Sequence, residues 1–457
     1  MSEIIASVSG IRGIIGDSLT PGNIIKFTSA FAKYSKKNSG HRNLKIAVGR
    51  DGRLFGDVIE KMVISNLLLC GAEVINIGIA PTPTVQIATE ELNCSGGISI
   101  TASHNPQIWN GLKFLNPVGT FLDEKQVKKF LQIADRSVFN YVSIDEVKQI
   151  IYDNSWLDKH IDRVLKLKIL DLNKIRKRKF KVVVDAVNSS GSVIVPKLLE
   201  KLGCKVIKLY CDGSGIFPHM PEPIPENLTL LSRSVRKNNA DLGIAVDPDA
   251  DRLVLITNKA EPFGEENTIT AVSNFVLKKT KGKNKNVTVN LSTTRSVDDI
   301  AIKNNARVFR SEVGEINVVK EMMKNNSVVG GEGSGGIIYP ELHYGRDSLA
   351  GIALILNELA DSGLNLSDYK NTLPAYYISK SKIENVSNPD KMLEKIRSKY
   401  KNNKDLIKVW TKDGLKLDFV NYWVHLRKSN TEPIVRIITE ARSLMEADEL
   451  QKKFLNF

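Results

Sequence analysis

The sequence has few features of a secreted or membrane-bound protein. Its four cysteines, Cys70, Cys94, Cys204 and Cys211, are scattered and form no Cys-x-x-Cys pair, so we expect reduced thiols rather than disulfides or a zinc site. No stretch approaches the roughly 18 consecutive apolar residues of a membrane span. The N-terminal MSEIIASVSG lacks a basic stretch followed by an apolar one, which argues against a secretory signal. We therefore expect a cytoplasmic protein.

Charge of one sign is in excess, but it is not organised as a nucleic-acid-binding surface. The formal net charge is +14, and many lysines occur as dispersed doublets such as Lys36-Lys37 and Lys278-Lys279. The one compact basic run, residues 174–179, directly precedes a strand-like segment and has no accompanying aromatic motif. We therefore expect neither a nucleic acid nor a membrane as partner. A basic protein does suit a small, phosphorylated substrate.

The length of the chain and its rhythm of strands and helices predict several similar domains. A chain of 457 residues exceeds what one core usually serves, so roughly two to four domains are expected. Strand-like runs at residues 45–49, 180–185 and 286–290 each open a round of alternating strand and helix patterns. The pattern predicts three similar α/β mixed-sheet domains and a smaller C-terminal α+β domain around a central cleft. We place these domains at residues 1–154, 155–258, 259–367 and 368–457.

The most informative motif is the hexapeptide TASHNP at residues 101–106, which follows the apolar run at residues 97–100. It places Ser103 on a tight turn at a strand end, with His104 beside it and Lys113 further along the chain. A serine that can carry a phosphoryl group indicates phosphoryl transfer when a divalent cation is near. His104 either orients that serine or satisfies backbone groups. Helix capping and turn formation are the alternative interpretation of the motif.

A second loop, DPDADR at residues 247–252, follows the apolar run at residues 244–246. Its three carboxylates belong to Asp247, Asp249 and Asp251. Oxygen ligands of this kind suit Mg²⁺, which requires octahedral geometry and keeps waters or phosphate oxygens as further ligands. No cysteine or histidine in the loop competes, so zinc is disfavoured. A solvated acidic turn is the commoner meaning of such a string, but the preceding strand-like run favours a metal site.

The segments ITASHNP, NGLK and DPDADR resemble the signature loops of the α-D-phosphohexomutases, the family of phosphoglucomutases, phosphomannomutases and phosphoglucosamine mutases. The resemblance extends over nearly the whole chain. It implies that Ser103 is phosphorylated in the resting enzyme and donates its phosphoryl group, and that Ser103 and the three aspartates hold Mg²⁺. It also implies that Arg252 faces the substrate. Arg12, in the N-terminal segment SVSGIRG, is expected at the active centre together with Lys113.

The glycine-rich segment GEGSGG, residues 331–336, satisfies the dinucleotide-binding pattern GxGxxG. We reject that interpretation, because the fingerprint should open a helix and the extended, proline-terminated IIYP follows instead. The family's sugar-binding loop resembles GExSGH, which implies that Glu332 and Ser334 bind sugar hydroxyls. Gly336 stands where the family often has histidine, and His343 is either a substitute for that histidine or a packing residue.

The C-terminal segment RKSNTEP, followed by Arg436, resembles the family's pattern RxSxTEPxxR. Arginine forks and turn amides are well matched to phosphate oxygens. The resemblance implies that the non-reacting phosphate is held by a clamp of Arg427, Ser429, Asn430, Thr431 and Arg436. An ordinary surface turn is the alternative.

The sequence thus predicts a phosphohexomutase, an isomerase that interconverts hexose 6-phosphate and hexose 1-phosphate through a phosphoserine and a bisphosphate intermediate. Mg²⁺ is the expected metal, and a hexose 1,6-bisphosphate is the expected activator. The segments GEGSGG, ELHYGRD and LRKSNTEP look most like those of phosphoglucosamine mutases, and a phosphomannomutase/phosphoglucomutase is the alternative. A metal-dependent sugar phosphatase and a non-catalytic sugar-phosphate binder are rivals of another class. We expect a monomer or a homodimer.

Overall fold

Four β-sheets follow one another along the chain, and the predicted α/β class is confirmed. The computed structural model describes residues 3–136, 138–282, 284–384, 386–428 and 434–455. Within these ranges the first three sheets mix parallel and antiparallel pairs, and the fourth is antiparallel. No helix in the described ranges is long and apolar enough to cross a bilayer.

The first sheet has seven strands in the order β1-β2-β6-β5-β3-β4-β7. Its strands are β1 (Ile5–Ser7), β2 (Gly10–Ile14), β3 (Lys45–Arg50), β4 (Glu73–Ile79), β5 (Gly96–Ile100), β6 (Trp109–Leu115) and β7 (Ile150–Tyr152). The helices of this unit are α1 (Pro21–Asn38), α2 (Gly56–Leu69), α3 (Thr82–Glu91) and α4 (Glu124–Arg136), and a short 3₁₀ turn covers Ile144–Glu146. α1 begins where the Thr20 side chain accepts a hydrogen bond from Asn23 N.

The second and third sheets have four strands each, in the orders β11-β10-β8-β9 and β13-β12-β14-β15. The second unit consists of α5 (Trp156–Leu165), α6 (Leu172–Arg178), β8 (Lys181–Asp185), α7 (Gly191–Lys201), β9 (Lys205–Tyr210), a 3₁₀ turn (Pro225–Leu228), α8 (Thr229–Lys237), β10 (Leu242–Val246) and β11 (Leu253–Thr257). The third consists of α9 (Glu265–Lys279), β12 (Asn286–Asn290), α10 (Ser296–Lys303), β13 (Arg307–Ser311), α11 (Glu315–Asn325), β14 (Val329–Glu332), β15 (Gly336–Ile338), α12 (Ser348–Ser362) and α13 (Leu366–Lys370).

The fourth sheet has the order β16-β20-β19-β18-β17 and a hydrophobic core of its own. Its elements are β16 (Tyr377–Ile383), α14 (Pro389–Tyr400), β17 (Leu406–Trp410), β18 (Leu415–Phe419), β19 (Trp423–Lys428), β20 (Val435–Ala441) and α15 (Leu444–Leu455). By contrast, one continuous core cluster contains buried side chains from all three earlier units, from Ile75 to Leu373. The first three units therefore form one packed body, to which a separately packed unit is added.

The first three sheets share one connectivity, and this places the distinctive loops at equivalent positions. In each, three parallel strands lie in the order second, first, third, and a fourth strand pairs antiparallel with the third. The loops between the third and fourth strands hold Ser103, the three aspartates and the glycine-rich segment, respectively. Our finer domain limits after residues 154, 258 and 367 stay predictions.

Candidate active site

A cavity of about 740 Å³ lies where these loops meet the fourth unit. Its lining is rich in basic side chains, which are Arg12, Lys113, Arg252, Arg346, Lys380, Lys382, Arg427 and Arg436. The acidic lining residues in the described chain are Glu266, Glu315 and Glu332. Eight cations against three carboxylates favour an anionic ligand. The cleft predicted from the sequence is therefore present, and we refer to it below as the central cleft.

Ser103 lies at the floor of the cleft, on the loop between β5 and β6. The residue is 2% exposed, and its φ of 49° lies in the left-handed region that an L-residue rarely adopts. Thr101 Oγ1 accepts a hydrogen bond from the Ser103 amide at 2.9 Å. The Ser103 hydroxyl donates to Asp247 Oδ2 at 2.9 Å. No helix begins at this loop, so helix capping does not explain the motif.

A buried arginine that sequence reasoning missed holds the Ser103 loop in this shape. Arg53 donates to the carbonyl oxygens of Ser103, Asn105, Pro106 and Trp109. Its Nε lies 3.0 Å from Asp51 Oδ2, and both side chains are almost completely buried. Asp51 also accepts a hydrogen bond from Thr101 Oγ1 at 2.6 Å. The backbone around Ser103 is thereby fixed by a charge-assisted network.

The three aspartates of the second loop lie directly beside Ser103. Asp247, Asp249 and Asp251 are each fully buried, and one carboxylate oxygen from each lies within 4.8 Å of the others. Burial and the two neighbouring carboxylates raise the pKa of Asp247 well above its usual value. Three carboxylates this close and this dry repel one another unless cations compensate them. The three carboxylates together offer oxygen ligands to a cation.

Unsatisfied carboxylate oxygens show that the site fits a hard divalent ion. Asp249 Oδ1 and Asp251 Oδ1 are buried and have no hydrogen-bond donor among the described residues. Leaving such oxygens unpaired costs roughly 1–3 kcal/mol each, more when they are charged. A Mg²⁺ ion takes oxygen ligands of this kind. The donor set in the described chain contains no thiolate or imidazole, which argues against zinc.

Lys113 connects the serine loop to the aspartates from the other side. Its Nζ lies 2.5 Å from Asp249 Oδ2 and 3.3 Å from Asp251 Oδ2. Burial lowers the pKa of Lys113, but the two carboxylates outweigh burial and raise that pKa above its ordinary value. Lys113 is therefore a fixed positive charge beside the loop of residues 247–252, which we call the metal loop below.

Arg12 and His104 complete the surroundings of the serine. Arg12 Nη1 donates to Asn105 Oδ1 at 3.1 Å, and its buried Nε has no hydrogen-bond partner among the described residues. His104 Nδ1 lies 3.4 Å from Ser103 Oγ. Burial, and then the charges of Arg252 and Arg12, lower the pKa of His104 to about 2. The imidazole is therefore neutral and can accept a hydrogen bond, but these surroundings make it a poor proton acceptor.

The glycine-rich segment of residues 331–336, which we call the sugar loop below, also lines the cleft. Its Glu332 already accepts hydrogen bonds from three protein groups. Glu332 Oε1 accepts from Asn290 Nδ2 at 2.9 Å and from Gly314 N at 3.0 Å. Its Oε2 accepts from Arg346 Nη1 at 2.8 Å. Ser334 is partly exposed and faces the same cavity. No helix follows the glycine-rich segment; β15 does, in agreement with our rejection of dinucleotide binding.

Arg346 is a second functional candidate that sequence reasoning missed. Its guanidinium contacts Asp251 Oδ2 at 2.6 Å, Glu332 Oε2 at 2.8 Å and Glu315 Oε2 at 3.0 Å. It thus joins the metal loop to the sugar loop. A Cβ on Gly336 would overlap Arg346 Cδ, so a histidine at position 336 would require the Arg346 side chain to move.

His343, the conceivable substitute for the family histidine, lies outside the cleft lining. Its Nε2 is 3.0 Å from Asp347 Oδ2, and the residue is 5% exposed. The packing interpretation of His343 is therefore the one that the structure supports.

In the fourth unit, three cations stand side by side across neighbouring strands. Arg427 on β19 is the register partner of Arg436 on β20, and Arg436 is the partner of Lys382 on β16. All three line the cleft. Like charges directly opposite one another destabilise a sheet, and Asp413 and Glu384 compensate Arg427 and Lys382 at 2.9 and 2.8 Å. The row as a whole favours an anionic ligand. Ser429, Asn430 and Thr431, the other predicted clamp residues, lie outside the described residues.

Comparison with known proteins agrees with this arrangement. Models of the phosphoglucomutase/phosphomannomutase family match the chain in succession: α/β/α domain I over residues 4–140, domain II over 158–261, domain III over 265–377 and the C-terminal domain over 384–457. The chain therefore belongs to this family. It is a phosphohexomutase, an isomerase that moves a phosphoryl group between positions of a hexose.

Individual relatives cover nearly the whole chain. A phosphoglucomutase/phosphomannomutase of Thermococcus kodakarensis is 36% identical over 441 residues, which is 96% of this chain and 95% of that protein. A phosphoglucosamine/phosphogalactosamine mutase of Sulfurisphaera tokodaii is 32% identical over 445 residues, 96% of each. The crystal structure of a phosphoglucomutase/phosphomannomutase family protein from Burkholderia thailandensis shares the fold, with a TM-score of 0.83, 24% identity, and 98% of this chain and 97% of that chain covered.

Proposed function

We propose that this phosphohexomutase interconverts glucosamine 6-phosphate and glucosamine 1-phosphate, with Ser103 as the phosphoryl carrier. The observation that carries the mechanism is the 2.9 Å contact between Ser103 Oγ and Asp247 Oδ2, because it joins a carrier hydroxyl to a cation site. The amino sugar is supported by the name of the Sulfurisphaera tokodaii relative. The name of the Thermococcus kodakarensis relative supports glucose and mannose phosphates as the second candidates.

In the first transfer, phosphorylated Ser103 gives its phosphoryl group to the free hydroxyl of the hexose monophosphate. The bond between phosphorus and Ser103 Oγ breaks, and a bond between phosphorus and the sugar oxygen forms. The proton of the attacking hydroxyl ends on the released Ser103 Oγ, which leaves as a neutral hydroxyl. Neutral His104, whose Nδ1 lies 3.4 Å from that oxygen, accepts a hydrogen bond from it. Lys113 and Arg12 stabilise the charge that develops on the phosphoryl oxygens. The product is a hexose 1,6-bisphosphate.

Asp247, Asp249 and Asp251 would hold Mg²⁺ together with an oxygen of the phosphorylated Ser103. Bound there, the ion would neutralise negative charge on the transferred group. The two buried carboxylate oxygens without donors and the absence of softer ligands from the described set support this choice of metal.

In the second transfer the bisphosphate turns over in the cleft, and its other phosphoryl group returns to Ser103. Arg427 and Arg436 hold the phosphate that is not reacting, with Lys382 beside them. Glu332 and Ser334 hold sugar hydroxyls, and Arg252 faces the substrate from the cleft wall. A clamp of cations suits both orientations, since phosphate oxygens offer the same acceptors in either one.

A coupled assay tests the proposal directly. Glucosamine 6-phosphate should be converted to glucosamine 1-phosphate in the presence of Mg²⁺ and a hexose 1,6-bisphosphate, and faster than glucose or mannose 6-phosphate. Ser103→Ala should abolish turnover while leaving the fold intact. Full mutase activity in that variant would contradict the carrier role. Release of inorganic phosphate in place of isomerisation would favour the phosphatase alternative, and binding without turnover would favour the non-catalytic one.

A further inference from the structure

Glu266 differs from the other carboxylates that line the central cleft. Glu315 and Glu332 both form ion pairs with Arg346, at 3.0 and 2.8 Å. Glu266 forms no ion pair with any described residue, although it faces the same cavity. Among the described residues, no arginine or lysine forms an ion pair with Glu266, in contrast to the other two glutamates of the lining.

The position of Glu266 is fixed against the sugar loop. One carboxylate oxygen, Oε2, accepts a hydrogen bond from Thr294 N at 2.9 Å. The whole carboxylate lies against Gly333, which stands between the two predicted hydroxyl ligands; a Cβ on Gly333 would overlap both of its oxygens. No described residue donates a hydrogen bond to Oε1. An acceptor oxygen is therefore presented to the cleft at the sugar loop.

The protein does not fully compensate a negative charge on Glu266. Lys380 is the basic residue whose field acts on it most strongly, but Lys380 Nζ is ion-paired with Glu265 Oε1 at 2.5 Å. Burial raises the pKa of Glu266 to about 8, and the field of Lys380 does not overcome that rise. The ionised form of this carboxyl is costly unless a ligand supplies positive charge.

We propose that Glu266 binds the ammonium group of an amino-sugar phosphate and so selects it over the corresponding neutral sugar. The argument rests on the proposed function, whose substrate it explains. A neutral hexose offers only hydroxyl groups to Oε1, whereas the 2-ammonium of glucosamine 6-phosphate offers both a donor and a full charge. An ammonium donor adds to the hydrogen bond a Coulomb attraction between opposite charges, which a hydroxyl donor lacks. Glu332 cannot take this role, because Arg346 already compensates its charge.

The alternative to ammonium binding is a purely structural role for Glu266. Its place in the first turn of α9 suits an acidic residue, and its bond to Thr294 N anchors a loop. Glu266→Gln keeps an oxygen for Thr294 N and nearly the same volume, and it removes the charge. Glu261→Gln is the matched control, since Glu261 is exposed and lies outside the cleft lining.

The test compares kcat/KM for glucosamine 6-phosphate and glucose 6-phosphate in the wild type and both variants. In Glu266→Gln we expect a loss of about 10- to 100-fold for glucosamine 6-phosphate, mainly through KM, and little change for glucose 6-phosphate. Glu261→Gln should keep the wild-type ratio. Affinities measured by calorimetry in a Ser103→Ala background should change in the same proportion without turnover.

Two results would overturn the proposal and leave the proposed function intact. An unchanged ratio in Glu266→Gln would show that its charge does not read the amine. Equal losses for both sugars would show that Glu266 only supports the loop. A wild type that isomerises glucose 6-phosphate but not glucosamine 6-phosphate would instead refute the proposed substrate, and the ammonium subsite with it.

Discussion

At the scale of single residues, the central cleft depends on a few buried charges with several partners each. Arg346 shows this most clearly, because one guanidinium compensates carboxylates from the metal loop, the sugar loop and the start of α11. Arg53 does the same for the carbonyl groups of the serine loop. Such groups fix the side chains and loops that line the cleft.

Replacing Arg346 should therefore be costly to the fold. Arg346→Met keeps much of the packing volume but leaves three buried carboxylates without their common cation, so we expect the free energy of unfolding to fall by about 3–5 kcal/mol. Arg397→Met is the control: its ion pair with Glu394 is exposed, and such pairs contribute about 0–1 kcal/mol. Urea denaturation measures both. A loss below 1 kcal/mol for Arg346→Met would show that the carboxylates do not depend on it.

The overlap between Arg346 and any side chain at position 336 predicts a second effect. Gly336→Ala places a methyl group on Arg346 Cδ, so we expect the arginine to be displaced and both stability and activity to fall. Gly22→Ala is the control, because Gly22 lies in α1 with only Thr20 Oγ1 at 3.9 Å near the new methyl. That substitution should leave the protein as stable or more stable, since alanine favours helix. Equal thermal midpoints for the two variants would show that a methyl group at position 336 does not disturb Arg346.

The aspartate loop predicts a metal-binding phenotype that can be measured without turnover. Asp249→Asn removes one carboxylate of the three, so we expect Mn²⁺, used as a probe for the proposed Mg²⁺ site, to bind more weakly. Changes to residues that only support the metal ligands typically weaken metal affinity about 10- to 100-fold, so we expect a loss of at least that size for Asp249→Asn. Titration followed by electron paramagnetic resonance measures the affinity. Asp212→Asn, on an exposed loop, should bind Mn²⁺ as the wild type does.

At the scale of elements, the row of cations across β16, β20 and β19 makes a prediction with two opposite signs. Arg436→Gln relieves repulsion from Lys382 and Arg427, so the ligand-free protein should be more stable by about 0.2–1 kcal/mol. The same change removes a proposed phosphate ligand, so KM for the sugar phosphate should rise.

Chemical denaturation without phosphate and steady-state kinetics give the two readings. Lys404→Gln, at an exposed position before β17, should change neither. A stability loss in Arg436→Gln would show that the row is not strained in the absence of an anion.

The order of strands and helices also explains how much of the fold and of the site could be predicted from the sequence. The strand–helix rhythm and the loop motifs sufficed for the α/β class and for the three loops, since each loop follows the same strand of a repeated unit. Arg53, Arg346 and Glu266 were missed because their roles depend on partners far along the chain. Arg346, for example, acquires its role from Asp251, 95 residues away in sequence, and no local pattern encodes that contact.

At the scale of the whole molecule, a buried polar link joins the first three units. Asp347, which caps α12, accepts hydrogen bonds from Leu349 N and Ala350 N through Oδ1. Its Oδ2 lies 2.8 Å from His160 Nε2 and 3.0 Å from His343 Nε2. His160 Nδ1 lies 2.9 Å from Thr84 Oγ1. One carboxylate thus ties α12 of the third unit to α5 of the second and α3 of the first.

This link predicts a dependence of stability on pH. Burial alone would raise the pKa of Asp347, but His160 and His343 outweigh burial and hold that pKa well below its usual range. A carboxyl whose pKa is lower in the folded than in the unfolded state stabilises the fold above its unfolded pKa. That contribution is lost as pH falls from about 4 towards the folded pKa.

Asp347→Asn keeps an oxygen to cap α12 and removes the charge between the histidines. We expect it to lower the free energy of unfolding by about 2–3 kcal/mol at neutral pH, with the difference from wild type shrinking as pH falls below about 4. Urea titrations at a series of pH values measure this. Asp171→Asn, at the exposed cap of α6, should have little effect at any pH, because asparagine caps a helix as well as aspartate does. If the Asp347→Asn deficit stayed constant down to the lowest pH measured, the charge of Asp347 would not be what holds the three units together.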